Sequence, residues 1–486
     1  MEKYILGIDV GTTGTKTLLF SESGKLCASA YQGYPLHTPE VGYSEQAPED
    51  WWDAIKKTIS EVCKAGNVGE NVEAISLSTQ GGTVVPTDKE GNPLRPSIVW
   101  NDARAKKERA LFLEEVGDDA TMYGLSGWHL GKGLPALLIR WLRDNEPEIF
   151  EKTDLFLTVP DYVALKMTGI PAVDFSNAGI NQLCDIQKKA YDAKILDFCG
   201  IREEQLPKLV ASGEAIGHLT EKAAKELGLS TETILVSGAH DQYAVALGAG
   251  ATAAGDILIG SGTCWVVTAI GDAPDFSSGL SQSVAAVPNM WGSLQSLSSG
   301  GVCLDWLRKN ITPTAEMTYQ DIDAETAKRK AAEDGLFFYP FTGKANAKER
   351  LQRASFVGLD LSHDKFDMAL AVMEGVVFQV LWMMEAFRQK PSKEGIILAG
   401  GASKSPVWAK LLADISGLPV RIPAVADLAC VGAAILAGVG GGIYRDAAEG
   451  YRKLAVGESV LEPNAEKTKI YAPLFDAYKK KAAALK

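Results

Sequence analysis

Ile5-Leu6-Gly7-Ile8-Asp9-Val10-Gly11-Thr12-Thr13-Gly14-Thr15-Lys16-Thr17-Leu18-Leu19-Phe20 sets two apolar runs on either side of a turn made of Gly and Thr. The pattern predicts a β-hairpin. Glycines in the turn permit positive φ and let the backbone approach a ligand closely. Successive N–H groups in such a turn, with Thr12 and Thr13 hydroxyls beside them and Gly14 closing it, form a concavity suited to phosphate oxygens. Lys16 adds a point charge within reach of the same phosphates. Asp9, on the incoming strand, could hold a Mg²⁺ ion directly or through water. The stretch lacks the G-x-x-x-x-G-K-[ST] spacing of a Walker A loop. Its other reading is a Gly-rich hairpin at a sheet edge.

A second stretch has the same layout. Gly255-Asp256-Ile257-Leu258-Ile259-Gly260-Ser261-Gly262-Thr263-Cys264-Trp265-Val266-Val267-Thr268 runs strand, Gly/Ser/Thr turn, strand, about half the chain further on. A repeat at that distance predicts two related domains, each giving one phosphate-gripping hairpin.

The bulk properties narrow the function class. The chain has 486 residues, a two-domain length. With 46% hydrophobic and 23% charged residues it has the composition of a globular protein and not of a disordered one. A net charge of −12 with no Lys/Arg block argues against nucleic acid or an anionic membrane as partner. Met1-Glu2-Lys3-Tyr4 runs straight into the first strand without signal-peptide character, and Leu428 to Ile443 is too short and Gly-rich to span a membrane. A cytoplasmic protein is the expectation. The seven cysteines form no C-x-x-C pair and read as reduced packing thiols; the five histidines show no metal spacing.

Read in order, Pro48 beside Glu49 and Asp50 starts a helix carrying Trp52, Ile55, Ile59 and Val62 on one face. Val72–Ser78 reads as a strand ending at Thr79-Gln80-Gly81-Gly82-Thr83, and Ile98-Val99 leads through Trp100-Asn101-Asp102 to a charged helix. Polar groups just past strand ends are where α/β folds place ligands. Thr233–Gly238 is a strand that ends in Ala239-His240-Asp241-Gln242 before a small-residue helix from Ala244 to Gly250. Asp241 there is either a general base or a helix N-cap. Ser298-Ser299-Gly300-Gly301 opens a helix through Asp305 whose N-terminus either faces an anion or is simply capped. Asp364–Arg388 reads as a long amphipathic helix. Strand Gly395–Ala399 runs into Gly400-Gly401-Ala402-Ser403-Lys404-Ser405-Pro406, a turn suited to close approach of a flat ligand such as adenine. The Ala/Lys-rich tail predicts a terminal helix lying on the surface. The domain boundary is expected near Gly248–Gly255, dividing residues 1–248 from 249–486.

Taken together these residues resemble the FGGY carbohydrate kinases, on the actin-like ATPase fold, over nearly the whole chain. Asp9-x-Gly11-Thr12-Thr13 resembles the family's first phosphate loop. Tyr43-Ser44-Glu45-Gln46, Pro48-Glu49-x-Trp51-Trp52, Trp100-Asn101-Asp102-x-Arg104 and Asn145-Glu146-Pro147-Glu148 are similar to the xylulokinase branch. Asp241 falls where the family carries its catalytic base, and Ser261 and its neighbours match the second phosphate loop. Phe356-x-Gly358-Leu359 through Glu374 resembles the C-terminal signature, and Gly400-Gly401-Ala402 the adenine-side loop.

The resemblance implies an α/β fold of two actin-like ATPase (ribonuclease H-like) domains with a central cleft. It implies ATP and Mg²⁺ as cofactors, a small sugar or polyol as substrate, and often a homodimer. It makes Asp241 the base and Asp9 the metal-side carboxylate. Gln80, Gly81, Gly82, Trp100, Asp102 and Gln242 would line the sugar site. Thr12, Thr13, Gly14, Lys16, Ser261, Gly262, Thr263, Gly301, Asp305, Gly400, Gly401, Ala402 and Ser405 would hold the nucleotide, with domain closure excluding water. Four departures from the pattern bear on substrate. Xylulokinases usually carry Gln-Met-His-Gly where this chain has Gln80-Gly81-Gly82-Thr83. Leu138 stands where a Lys is expected, and Gly343-Lys344-Ala345 where Gly-Glu-Arg is usual. Asp241-Gln242 is nearer to glycerol kinases. The expected activity is phosphorylation of a terminal hydroxyl of a small sugar, xylulose first. Glycerol, erythritol, gluconate or ribulose are alternatives, as are a degenerate kinase and an actin-like ATPase switch.

Overall fold

The computed structural model describes residues 2–311, 317–330, 335–341, 353–454 and 457–484. The departure at Gly343-Lys344-Ala345 lies outside them. The chain forms two compact units: Met1–Ala253 with Gly271–Ser293 and Asp427–Val456, and Ala254–Ile270 with Leu294–Ala426 and Gly457–Lys486. The first break falls at Ala253/Ala254, within Gly248–Gly255, and two later segments return to the first unit.

The first unit is built on a six-stranded sheet in the order Ala215–His218, Ile234–His240, Val72–Thr79, Tyr4–Val10, Gly14–Ser21, Leu26–Gly33. The opening stretch is the expected hairpin, with Asp9 opposite Lys16 and Val10 opposite Thr15. Tyr4–Val10, Val72–Thr79 and Ile234–His240 are parallel, so their carboxyl ends lie at one edge of the sheet. The helix Pro48–Gly66 has proline in its first turn, Glu49 and Asp50 beside it, and a left-handed Asn67 closing it. Its buried stripe of Trp51, Ile55, Ile59 and Val62 covers one face of the sheet.

Helix Leu428–Gly440 explains one of the returns. Its residues from Cys430 to Gly438 are buried, the signature of a helix apolar all round. Small residues let it lie against its neighbours. A Cβ on Gly7 would stand 2.0 Å from the Cys430 carbonyl oxygen, and one on Gly432 would stand 2.0 Å from that of Ala244.

The second unit carries the repeated hairpin. Ile257–Ser261 and Trp265–Gly271 are antiparallel, and Ile257–Ser261 pairs in parallel with Ile396–Gly400 on its other edge. Val420–Pro423 follows in parallel, and Glu458–Leu461, a strand that no sequence pattern marks, closes that edge. Among the described residues one helix, Lys365–Met384, is long and apolar enough to cross a membrane. It starts at an Asp364/Asp367 capping box and buries Ala369 to Phe378 within the unit. The terminal helix Ala465–Ala484 does not simply lie on the surface: Tyr478 is fully buried, stacked on Tyr339 at 4.4 Å and packed on Phe378 at 5.2 Å.

Candidate active site

The parallel strands of the first unit bring three polar groups to their carboxyl ends. Ser78 Oγ donates to Asp9 Oδ1 at 2.7 Å, and Ala239, two residues before Asp241, is paired with Ser78. The next helix starts at Asp241 itself, three residues earlier than expected. Its N-cap is His240, which makes no side-chain cap, so Asp241 is not the capping residue. Asp241 Oδ1 is buried and has no hydrogen-bond partner among the described residues. Asp9 is pushed up to about 6, first by burial, against the Ser78 hydrogen bond, and then by the charges of Asp241 and Asp427. Lys16 Nζ meets Asp427 Oδ1 at 2.5 Å. Asp427 carries no sequence signal.

The hairpin turn is held from the side. Thr12 Oγ1 donates to Gln80 Oε1 at 3.0 Å, Gln80 Nε2 to Gln46 Oε1 at 3.1 Å, and Gln46 Nε2 to the Thr12 carbonyl at 2.6 Å. Trp100 Nε1 adds a bond to Thr12 Oγ1 at 3.1 Å, and Tyr34 Oη donates to the Gly11 carbonyl at 2.6 Å. The Tyr31 ring lies over Gly14, where a Cβ would stand 2.4 Å from its Oη unless the exposed ring moved aside. The N–H groups of Thr12 and Thr13 donate to no described residue, which leaves them for an anion.

Two residues offered as sugar contacts are engaged elsewhere. Gln80 is 2% exposed and fixes the turn. Asp102 is also buried; it accepts from Ser44 N at 2.7 Å and from Arg104 N, Nε and Nη2 at 2.7, 3.0 and 2.8 Å. All four of its acceptor positions are filled. Arg104 in turn reaches Glu45 and lies 3.9 Å over the Tyr43 ring, and Arg95 joins Glu45 to Glu146. Trp100, 47% exposed, and Gln242, whose side chain makes no hydrogen bond among the described residues, stay available to a ligand. Gly81 and Gly82 are buried, Gly82 at φ +72°.

In the second unit a cavity of about 480 Å³ gathers eight of the nine residues expected to hold a nucleotide there: Ser261, Gly262, Thr263, Gly301, Asp305, Gly401, Ala402 and Ser405. Gly400 is outside its wall; at φ +94° it turns the chain tightly over Ser261. The Ser261 hydroxyl, expected to face phosphates, and that of Ser405, expected beside adenine, are used within the protein. Ser261 Oγ donates to the Ala399 carbonyl at 2.6 Å and accepts from Ala402 N at 3.0 Å. Ser405 caps the helix Pro406–Ser416 at Trp408 N and donates to Asp323 at 2.6 Å. The Gly262 N–H closes its own turn onto Cys264, while those of Thr263 and Cys264 donate to no described residue. Asp305 accepts from Tyr319 Oη. Asp323, raised by burial against the Ser405 hydrogen bond, and Tyr319 also line the cavity; both come from a helix, Tyr319–Thr326, that no motif marks.

The acidic set of the first unit fits a hard cation. Asp9 is raised by burial and crowded by two like charges, a state that a divalent ion relieves. Among the described residues no three His, Cys, Asp or Glu stand together as a complete metal cage.

Residues 4–248 match the N-terminal domain of the FGGY family of carbohydrate kinases and residues 256–441 its C-terminal domain. The chain is 30% identical over 485 residues to a xylulose kinase of Bacillus subtilis, covering 98% of this chain and 96% of that one. It is 29% identical over 451 residues to a gluconokinase of the same organism, covering 90% and 87%. Among solved structures, xylulose kinase from Rhodospirillum rubrum superposes with a TM-score of 0.92 at 26% identity, covering 99% of each chain.

Proposed function

Since the chain belongs to the FGGY family of carbohydrate kinases, phosphotransferases acting on a sugar alcohol group, we propose that it transfers the γ-phosphoryl of ATP to a terminal hydroxyl of a small ketose, a ketopentose such as xylulose first. The observation that carries this reading is the Asp241 side chain, 37% exposed at the end of Ile234–His240, near enough to Asp9 to raise it and free of any capping duty.

Phosphoryl transfer depends mainly on positioning and on stabilising charge. Asp241 accepts the proton of the attacking hydroxyl. The free N–H groups of Thr12 and Thr13, with Lys16 held by Asp427, bind phosphate oxygens from the first unit; those of Thr263 and Cys264 do so in the second. Asp323 and Tyr319 face the base and ribose end of the nucleotide in the cavity. Asp9 would hold Mg²⁺, which when bound would supply neutralising charge at the phosphates. Trp100 and Gln242 meet the sugar. Leu138 is fully buried in an apolar cluster and does not bear on the acceptor; the Gly81-Gly82 turn lacks the usual Met and His side chains and leaves related acceptors open beside xylulose, with gluconate supported by the second relative.

ADP release with Mg-ATP is measured against D- and L-xylulose, ribulose, glycerol, erythritol and gluconate. One acceptor with kcat/KM well above the others is the expected result. Steady hydrolysis without any acceptor, and no acceptor response, overturns the kinase reading in favour of an ATPase switch.

A further inference from the structure

The strand that carries the proposed base outruns its neighbour. Ile234–His240 pairs with Ala215–His218 only as far as Val236, opposite Ala215, and its register against Val72–Thr79 shifts between Val236 and Ala239. Its end is then held from two sides. On one, a Cβ on Gly238 would lie 1.7 Å from the Leu77 carbonyl oxygen, so the two backbones are in close contact. On the other, the N–H of His240 donates to a side chain, Ser176 Oγ, at 2.8 Å. Ser176 is fully buried in the helix Phe175–Asn181. A hydroxyl has one proton and two lone pairs. Ser176 gives its proton to Asp174 Oδ1, so it meets His240 with a lone pair of fixed direction. Asp174 is 1% exposed and is itself fixed, accepting from Ser176 N at 2.9 Å, Asn177 N at 3.1 Å and Asn177 Nδ2 at 2.6 Å. Capping the helix Phe175–Asn181 needs only its own backbone donors. The bond from Ser176 Oγ to His240 N goes beyond that and ties the helix start to the residue before Asp241. Asp241 makes no cap, and its Oδ1 has no hydrogen-bond partner among the described residues, so the backbone that carries it decides where the carboxylate stands.

We propose that Ser176 is a positioning residue for phosphoryl transfer: its hydroxyl, oriented by Asp174, holds the backbone of His240 and so sets where the Asp241 carboxylate stands. The inference rests on Asp241 being the base. A base works only within hydrogen-bond reach of the proton it takes, and a misplacement of about 1 Å costs up to about 10²-fold in rate. Without the Ser176 hydroxyl, a buried N–H on His240 loses its partner. The turn relieves this by shifting, and Asp241 shifts with it. Ser176 has no exposed surface and touches neither substrate, so the loss falls on kcat and not on binding.

The test is a double-mutant cycle between Ser176→Ala and Asp241→Asn, read by kcat and by the KM values for Mg-ATP and for whichever acceptor named above gives the highest kcat/KM. Ser176→Ala lowers kcat by about tenfold or more and leaves both KM values within about twofold. In the Asp241→Asn background the same change costs about twofold or less, because the group it places is no longer a base. Ser283→Ala removes a hydrogen bond of 3.3 Å to the Ser176 carbonyl and leaves the Ser176 hydroxyl in place; it keeps kcat and controls for loosening of the helix. If Ser176→Ala fails to fold, Ser176→Cys, which fills the same space with a weaker acceptor, replaces it in the cycle. Equal losses with and without the Asp241 carboxylate, or an unchanged kcat in Ser176→Ala, overturn the proposal and make Ser176 a packing residue. Full turnover in Asp241→Asn by itself instead overturns the reading on which it rests.

Discussion

Lys16 Nζ and Asp427 Oδ1 form an ion pair at 2.5 Å between residues 411 positions apart in the chain. One stands on the second strand of the phosphate hairpin and the other just before the buried helix Leu428–Gly440. Both side chains are about one third exposed (34% and 33%), so the pair contributes less than about 1 kcal/mol to stability. Its value lies in aiming a cation. Lys16→Met and Asp427→Asn are therefore expected to unfold in urea within about 1 kcal/mol of the wild type. Lys16→Met should lower kcat/KM for ATP by about tenfold or more, the loss of a charge-assisted phosphate contact, and Asp427→Asn by less. Variants that lose stability while keeping their kinetics would make the pair structural.

Asp241 is the sharpest kinetic prediction. Asp241→Asn removes the proton acceptor and keeps the shape. It is expected to lower kcat by about 10²–10⁴-fold with acceptor binding retained, as for loss of a general base. Because the helix Asp241–Gly248 does not use this side chain as a cap, its melting temperature should stay near that of the wild type. Single-turnover kinetics and calorimetry with the acceptor separate the two effects. Unchanged kcat in a folded Asp241→Asn protein removes the base role.

Local chemistry makes the two hairpins legible in the amino-acid order alone. Gly and Thr between β-branched runs leave a chain few other choices, and Pro48 and Pro406 start helices for a backbone reason. Residues whose meaning depends on distant partners are not legible in this way. Gln80 and Asp102 sit just past strand ends, where ligand contacts are expected, yet Thr12 and Gln46 claim the first and Arg104 and Ser44 the second. Asp427, Asp323 and Tyr319 belong to no motif because their roles arise only from tertiary placement. The terminal helix reads as a surface element because its buried tyrosines, Tyr471 and Tyr478, are two among many charged positions.

The helix contacts of the first unit rest on glycines that local sequence gives no reason to protect. A Cβ on Gly248 would lie 1.9 Å from the Leu428 carbonyl oxygen, and one on Gly432 would lie 2.0 Å from that of Ala244. In each case the obstructing atom is backbone and cannot rotate away. Gly248→Ala and Gly432→Ala are expected to destabilise by about 2–3 kcal/mol or more through overpacking, against the gain that Ala normally brings inside a helix. Gly442, at a helix end with open space around it, is the control for glycine loss without a clash, although its φ of +72° carries strain of its own. Urea unfolding of the three variants ranks them, and equal stability of Gly432→Ala and wild type would show that the helices can move apart freely.

Asp9 links the site to pH. Its folded value of about 6 lies above the ordinary 3.8, with burial the first cause and the charges of Asp241 and Asp427 adding to it. The folded state then holds the proton more tightly than the unfolded chain. Below about pH 4 the group is protonated in both states and costs nothing. As pH rises from there through 6, the folded protein must ionise a crowded, buried carboxyl, and stability falls by about 3 kcal/mol. Asp9→Asn is neutral at every pH. It is expected to match the wild type at pH 4 and to exceed it in unfolding free energy by up to about 3 kcal/mol at pH 7.5, while losing most of its activity. Subtracting the variant's pH profile from that of the wild type cancels every other titrating group. A difference that is flat from pH 4 to 7.5 would mean that Asp9 ionises as easily folded as unfolded. Addition of Mg²⁺ with nucleotide should shrink the difference at pH 7.5, because a cation beside Asp9 favours the ionised form that burial opposes.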